Sequence, residues 1–240
     1  IENVSCHGDS DGEIDLTPAG GSGSYTYNWS GPGVVTVTSQ DQVNLPAGTF
    51  LVTVTDSKGC STTQQFGITE PTELNAQLSG VTNVNCSDAE TGEIIVMAGS
   101  GTAPYNVSWS GPSLGNPVGT EILASGGVYS ITNQAAGTYF ITVTDANGCT
   151  ANIADTVLQS PPLSVALTSN AVACFGDSTG SIIPGITGGA GIYTYLWSNG
   201  FAGSVLMNVP AGTYSLTVTD IIGCTDIVSG VVTQPAGAKI

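Results

Sequence analysis

Four short motifs follow one another in the same order three times along this chain of 240 residues. The first is a cysteine before a polar turn: CHGDSDGEI from Cys6, CSDAETGEI from Cys86 and CFGDSTGSI from Cys174. The second is an aromatic run that ends in tryptophan, at Trp29, Trp109 and Trp197. An Ala-Gly-Thr-aromatic start comes next (Ala47–Phe50, Ala136–Tyr139, Ala211–Tyr214), and it leads into VTVTDSKGC, ITVTDANGC and LTVTDIIGC, which close at Cys60, Cys149 and Cys224. Repetition at this level means that each copy is one structural unit, so it limits the fold more than any single element does.

The period sets the kind of unit. Trp29 and Trp109 are 80 residues apart, and Trp109 and Trp197 are 88. Solenoid repeats of roughly 20–50 residues bury a core only by stacking, whereas about 80 residues can enclose a core of their own. Three tandem domains are therefore expected, over residues 1–71, 72–161 and 162–240, with the first truncated at its N-terminus. Proline-containing seams mark the joints at Pro71, Pro161 with Pro162, and Pro235. Proline restricts its own φ and its predecessor, so these joints are stiffer than Gly/Ser linkers. The abrupt start at Ile1 reads as a fragment of a longer array.

Within a unit the patterning is that of β-strands. Phe50, Val52 and Val54 alternate with Leu51, Thr53 and Thr55; Tyr139, Ile141, Val143 and Tyr214, Leu216, Val218 repeat the apolar face. The tryptophan strand alternates too, with Tyr25, Tyr27, Trp29 and Tyr193, Tyr195, Trp197 on one side. Gly and Pro punctuate the runs, and no amphipathic helix of useful length is present. The fold class expected is all-β: three immunoglobulin-like (PKD-like) antiparallel β-sandwich domains in tandem.

The cysteines fall two per repeat, six in all. A pairing within each unit repeats with the units, which predicts Cys6–Cys60, Cys86–Cys149 and Cys174–Cys224 as structural disulfides. A strand count agrees if Gly203–Val209 runs antiparallel to both its neighbours, because Cys174 and Cys224 then share a pole. One strand more or fewer sends them to opposite poles. The same count brings both ends of a unit to one pole and so disfavours a straight rod. Disulfides imply an oxidising, extracytoplasmic setting.

The charge balance fits that setting and removes several partners. Lys58 and Lys239 are the only basic residues apart from one histidine, against 18 acids, for a net charge of −16. With no arginine to neutralise phosphates, nucleic acid is excluded as a partner, and an anionic membrane surface is disfavoured. No apolar run is long enough to span a bilayer, so direct membrane insertion is not expected.

The combination of C-x-G-x-x-x-G, a Tyr-x-Tyr-x-Trp run and AGTYxVTVTDxxGC resembles the SprB repeat, found in large cell-surface adhesins of gliding and related Bacteroidetes bacteria. The third unit is nearest the pattern, with CFGDSTGSI, GGAGIYTYLWSNG and VPAGTYSLTVTDIIGC followed by TQP. The first two carry WSGPG and WSGPS in place of WSNG, and the second has an insertion around Ser113–Val128. The resemblance implies an exported, surface-anchored, repetitive protein of adhesion or gliding motility, located extracellularly, with no catalytic residues.

Candidate chemistry is sparse. Asp9, Asp11, Glu13 and Asp15 alternate as carboxylates around a calcium ion do, but the EF-hand spacing is missing and a solvated turn is the preferred reading. Glu90, Glu93 and Asp88 in the second unit and Asp177 in the third are the counterparts. No other cofactor is expected. Asp56, Asp145 and Asp220 precede each Gly-Cys and suit a turn that bonds its own backbone. Trp29, Trp109 and Trp197 are expected in the cores rather than as sugar-stacking platforms. Thr156 and Ser178 sit in Asp-Thr/Ser sequons of the kind related bacteria O-glycosylate. One histidine and no H-E-x-x-H or phosphate loop argue against an enzyme. The function expected is a non-catalytic, disulfide-stapled stalk whose partners are the adjacent repeats. The alternative is a module that binds a surface glycan or another surface protein through variable loops, chiefly Gly111–Gly127.

Overall fold

The computed structural model describes residues 1–34, 36–87, 89–112, 119–123 (backbone only) and 127–237. Among them every regular element is a β-strand and no helix occurs. The first unit contains β1 (Gly12–Ile14), β2 (Tyr25–Ser30), β3 (Gln42–Leu45), β4 (Gly48–Asp56) and β5 (Ser61–Ile68). The second contains β6 (Ala76–Thr82), β7 (Gly92–Ala98), β8 (Tyr105–Ser110), β9 (Gly119–Leu123), β10 (Val128–Gln134), β11 (Gly137–Thr144) and β12 (Thr150–Val157). In the third lie β13 (Ser164–Asn170), β14 (Gly180–Thr187), β15 (Thr194–Trp197), β16 (Leu206–Val209), β17 (Gly212–Thr219) and β18 (Thr225–Val232).

Each unit has two antiparallel sheets. One holds the tryptophan strand beside the Gly-Thr-aromatic strand and the strand after it: β2-β4-β5, β9-β8-β11-β12 and β15-β17-β18. The other is β1-β3, β6-β7-β10 or β13-β14-β16. The alternation seen in the sequence decides which side chains fill the space between the sheets. Phe50 and Val52, Tyr139, Ile141 and Val143, and Leu216 and Val218 are all buried there. The resulting hydrophobic clusters are separate. They are centred on Trp29 with Phe50 and Ile14, on Tyr139 with Ile94 and Ile131, and on Trp197 with Ile182 and Leu206. Register repeats too, with Trp29 opposite Val52, Trp109 opposite Ile141 and Trp197 opposite Leu216.

Two backbone features tighten the sandwich. Gly12, Gly92 and Gly180 begin the strand after the cysteine turn, and a Cβ there would lie 2.7–2.8 Å from the carbonyl oxygens of Leu45, Gln134 and Val209. Asn44, Asn133 and Asn208 take a left-handed backbone conformation, with φ of 57–58°. Asparagine tolerates that region because its side chain can bond locally. Each stands beside a register shift and turns the chain from one sheet into the other.

The strand directions correct the sequence-based count. In the third unit β17 runs antiparallel to β15, with Thr194 opposite Thr219, and β16 runs antiparallel to β14, with Gly180 opposite Val209. Across the two sheets β13 and β18 run the same way, with Val165 bonded to Asp226 at one end and Val172 to Thr233 at the other, so β15 and β16 also run the same way, in different sheets, and Gly203–Val209 is not an antiparallel neighbour of the tryptophan strand. The loop after Trp197 crosses between the sheets and adds no reversal. Cys174, beyond the Asn170–Ser181 end of the β13–β14 pair, and Cys224, beyond the Thr219–Thr225 end of β17–β18, therefore stand at opposite poles. The chain enters each unit at the Gly-Cys pole, where Asp226 accepts from the Val165 N–H at 2.8 Å. It leaves at the other, where the Val172 N–H bonds the Thr233 carbonyl at 3.0 Å. The units follow one another head to tail, rather than with both ends at one pole.

Candidate functional site

The chemistry that sets this chain apart gathers at the joints between units. At each exit pole the outgoing segment is bound to the loop that carries the first cysteine. The Val4 N–H donates to the Thr69 carbonyl, Val84 to Leu158 and Val172 to Thr233, at 2.8–3.1 Å. The side chains of Asn3 and Asn83 accept from the Thr69 and Leu158 N–H groups, both at 2.9 Å. Glu70 and Gln234, from the TEP and TQP seams, accept from Gly8 and Gly176 of the cysteine loops. Glu70 also lies 3.3 Å from the His7 ring. The seam motif is therefore a clamp that fixes the departing chain beside its cysteine.

At each entry pole an aspartate organises the Gly-Cys turn. Asp56 accepts from Lys58 and Cys60 through one oxygen, both at 2.9 Å, and from Ser22 through the other at 3.0 Å. Asp145 holds Asn147, Cys149 and Thr102 in the same way, and Asp220 holds Ile222, Cys224 and Ala190. Backbone bonds from each aspartate N–H to the cysteine carbonyl, at 2.9–3.0 Å, close the turn. The Cys60 N–H leads the groups that hold the Asp56 carboxyl below its usual range, against the cost of desolvation. At Asp220 burial pushes upward, but the N–H groups of Ala190, Cys224 and Ile222 outweigh it and the carboxyl is likewise lowered. These aspartates have structural work, with both oxygens taken by backbone donors.

The two poles meet covalently. Cys6 is bonded to Cys149 and Cys86 to Cys224, over sequence separations of 143 and 138 residues. The expected pairs Cys6–Cys60, Cys86–Cys149 and Cys174–Cys224 are corrected accordingly. The partners within a unit lie at opposite ends of a sandwich, whereas an exit-pole cysteine faces the entry-pole cysteine of the next unit. Cys149 Sγ lies 3.4 Å from the Ser5 carbonyl oxygen and Cys224 Sγ 3.5 Å from that of Asn85. A bridged sulfur has no proton, so these are packing contacts that repeat at both joints. Cys60 and Cys174 are free and exposed.

The remaining candidates fall elsewhere. Trp29, Trp109 and Trp197 are 2 %, 8 % and 1 % exposed, and Trp29 and Trp197 donate their indole N–H groups to the Ser39 and Gly203 carbonyls at 2.9 Å. The Trp109 indole N–H has no partner among the described residues. Asp9, Asp11, Glu13 and Asp15 do not converge. Asp11 is taken by the hydroxyl and N–H of Ser5, which lower its pKa, and Glu13 pairs with Glu2 through its backbone. No group of three or more His, Cys, Asp or Glu side chains placed to hold a metal occurs among the described residues. Asp88 and most of the Gly111–Gly127 loop lie outside the described residues. Thr156 and Ser178 are exposed, with the Thr156 hydroxyl 3.0 Å from that of Thr138. No helix among the described residues is long and apolar enough to cross a membrane.

The sequence model of the SprB repeat matches residues 1–34, 79–114 and 166–201. Each match contains the cysteine turn and the tryptophan strand. No curated protein matches the chain. Among solved structures, a C-terminal fragment of intimin in complex with the intimin-binding domain of its translocated receptor is 13 % identical with a TM-score of 0.36. The match covers 69 % of this chain and 64 % of that one, under two thirds of its length. The N-terminal eight immunoglobulin domains of a DSCAM isoform are 10 % identical, with 88 % and 33 % covered and a TM-score of 0.35. A BSP domain of a biofilm-associated protein is 16 % identical, with 81 % and 44 % covered and a TM-score of 0.27. These likenesses are loose and say nothing of function.

Proposed function

From three successive matches to the SprB repeat, we propose that this chain is a non-catalytic segment of an exported bacterial cell-surface protein and acts as a disulfide-stapled stalk in adhesion or gliding. The observation that carries the reading is the placement of the Cys6–Cys149 and Cys86–Cys224 bridges across the joints rather than inside the units. A bridge inside a sandwich stabilises that sandwich. A bridge across a joint leaves the cores as they are and limits bending and twisting at the seam, which is what a stalk needs to hold its reach. Entry and exit at opposite poles, proline in each seam and the clamped outgoing chain act in the same direction. The acidic surface, with a net charge of −16, keeps neighbouring stalks apart and soluble.

Small-angle scattering of the intact chain tests the reading. Three sandwiches with strands of about eight residues end to end give a length on the order of 100 Å. The oxidised protein should keep that length with a narrow distribution, and reduction should broaden it without unfolding the units. A compact oxidised particle, or a distribution that reduction leaves unchanged, contradicts the stalk. A glycan array run with the same intact chain addresses the binding-module alternative, which requires saturable binding of a surface glycan.

A further inference from the structure

We propose that the free edge of the tryptophan strand in the third unit, β15, is a docking site for an extended peptide segment of another protein, which adds to the sheet as one more antiparallel strand. The site lies within the third unit, and it holds whether or not the joints are stiff.

The second unit shows what this edge accepts. There β9 lies antiparallel on β8, with Tyr105 opposite Leu123, Val107 opposite Glu121 and Trp109 opposite Gly119. β15 is the counterpart of β8, but it is the outermost strand of its sheet. The Ser198 N–H bonds the Ser215 carbonyl at 2.8 Å, so Leu196 and Thr194, two and four residues back, also turn their backbone groups to β17. Trp197, Tyr195 and Tyr193 turn theirs outward by the same alternation. Trp197 is satisfied by its own loop, because its N–H bonds the Phe201 carbonyl at 2.9 Å and its carbonyl accepts from Gly200 at 2.8 Å. The outward N–H and C=O groups of Tyr193 and Tyr195 have no partner among the described residues. Open edge groups of this kind are a template for strand addition. Residues 198–205 cross to the other sheet, so the third unit has no segment of its own to fill the edge.

The side chains that frame the edge are the independent sign. Ile192, just before Tyr193, is 75 % exposed and held at a φ of 47°, a left-handed conformation that β-branched residues rarely adopt. It takes no part in the third core, and strain at such a position points to function. Leu196 is 58 % exposed. Phe201 is exposed at the far end of the edge, and the exposed Ile221 bonds Gly191 through its N–H beside the near end. The equivalents of Ile192 and Leu196 are Ser24 and Asn28 in the first unit and Pro104 and Ser108 in the second. Ser108 lies opposite Thr120 of β9. The occupant of the third edge therefore carries an apolar residue where β9 has threonine. Side chains approach most closely at a pair without backbone bonds, so the residue opposite Leu196 selects the partner.

The test titrates the full isotope-labelled chain with a synthetic peptide, residues 117–125 carrying Thr120→Leu, and follows backbone amides by NMR. Saturable shifts are expected at Tyr193, Tyr195 and Leu196. Leu196→Ser, which installs the residue type of the second unit at an exposed position, should weaken binding about tenfold. Ile192→Gly should weaken binding as well and leave the melting of the third unit unchanged or higher, because it relieves the left-handed backbone. No saturable shift up to about 1 mM peptide, or shifts confined to other units, overturns the proposal. So does equal affinity in Leu196→Ser, or a third unit that melts earlier in Ile192→Gly. The same shifts on concentrating the chain without peptide would assign the edge to self-association and overturn it too.

Discussion

Cys6 and Cys149 are joined across 143 residues, the first at the exit pole of one sandwich and the second at the entry pole of the next. Cys86 and Cys224 repeat that relationship one unit further on. In the chain-entropy model a crosslink over a loop of this length removes about 5 kcal/mol of disorder from the unfolded chain. Each bridge runs beside its proline seam, so a joint has two covalent connections in parallel. That arrangement has consequences for cleavage, for core variants and for acid.

Cutting the first seam tests the second connection. Glu73, followed by Leu74, offers a glutamate-specific protease a site between the first and second units. After cleavage at Glu73 the two pieces should migrate together on a non-reducing gel and part when reductant is added. Separation without reductant would show that Cys6 is bridged inside its own unit.

Tryptophan truncation should act unit by unit. Trp197 is 1 % exposed and its N–H bonds Gly203, so Trp197→Ala removes packing from the centre of the third cluster. Losses of this kind cost about 3–5 kcal/mol, a large part of what a small domain has. The third unit should melt early in calorimetry while the transition of the first unit stays in place. A uniform shift of every transition contradicts separate cores. Blue-shifted, quencher-resistant emission is expected from the folded wild-type chain.

Gly92 tests the close approach between sheets. An alanine Cβ there would lie 2.6 Å from Val157 Cγ1 and 2.7 Å from the Gln134 carbonyl oxygen, both at the exit end of the second unit. Overpacking of this sort costs about 1–3 kcal/mol. Gly92→Ala should lower the melting of the second unit, whereas Gly67→Ala, with nothing within 4 Å, should be nearly neutral. Equal effects of the two substitutions contradict the contact.

Acid should loosen the entry poles. The carboxyls of Asp56 and Asp220 titrate below their usual range in the folded chain. A lowered folded value means that the unfolded chain takes up the proton first. The stabilisation is present above the unfolded value of about 3.9 and is lost as pH falls through the folded value. Melting temperature should therefore drop steeply below about pH 4. Asp220→Asn should flatten part of that drop and destabilise the third unit at neutral pH, because the amide group would set a donor against the N–H of Ala190 or Cys224. An unchanged acid profile in Asp220→Asn contradicts the role of the turn.

The sandwich itself is visible in the sequence because burial imposes a period of two, and the Phe50–Val52 and Tyr139–Val143 faces obey it. The turn role of Asp56, Asp145 and Asp220 is legible for a related reason, since the side chain bonds amides two and four residues on. Pairing of the cysteines is not local and depends on strand parity. The segment from Gly203 to Val209 looks like one more hairpin strand, yet it crosses to the other sheet without reversing direction, and that missing reversal moves Cys224 to the far pole. A pairing shifted by one unit repeats along the chain as well as a pairing within it, so the period cannot choose between them. The left-handed Asn44, Asn133 and Asn208 recur three residues before the AGT start or its equivalent and were open to detection by that spacing. The calcium-like run from Asp9 to Asp15 misleads because Ser5, outside the motif, takes the central carboxylate.

The joint-spanning connectivity is tested most directly by mapping crosslinked peptides in the unreduced chain. Digestion under conditions that block thiol exchange, followed by mass spectrometry, should give peptides linking Cys6 to Cys149 and Cys86 to Cys224, with Cys60 and Cys174 recovered as alkylated thiols. Peptides linking Cys6 to Cys60, Cys86 to Cys149 or Cys174 to Cys224 would contradict it.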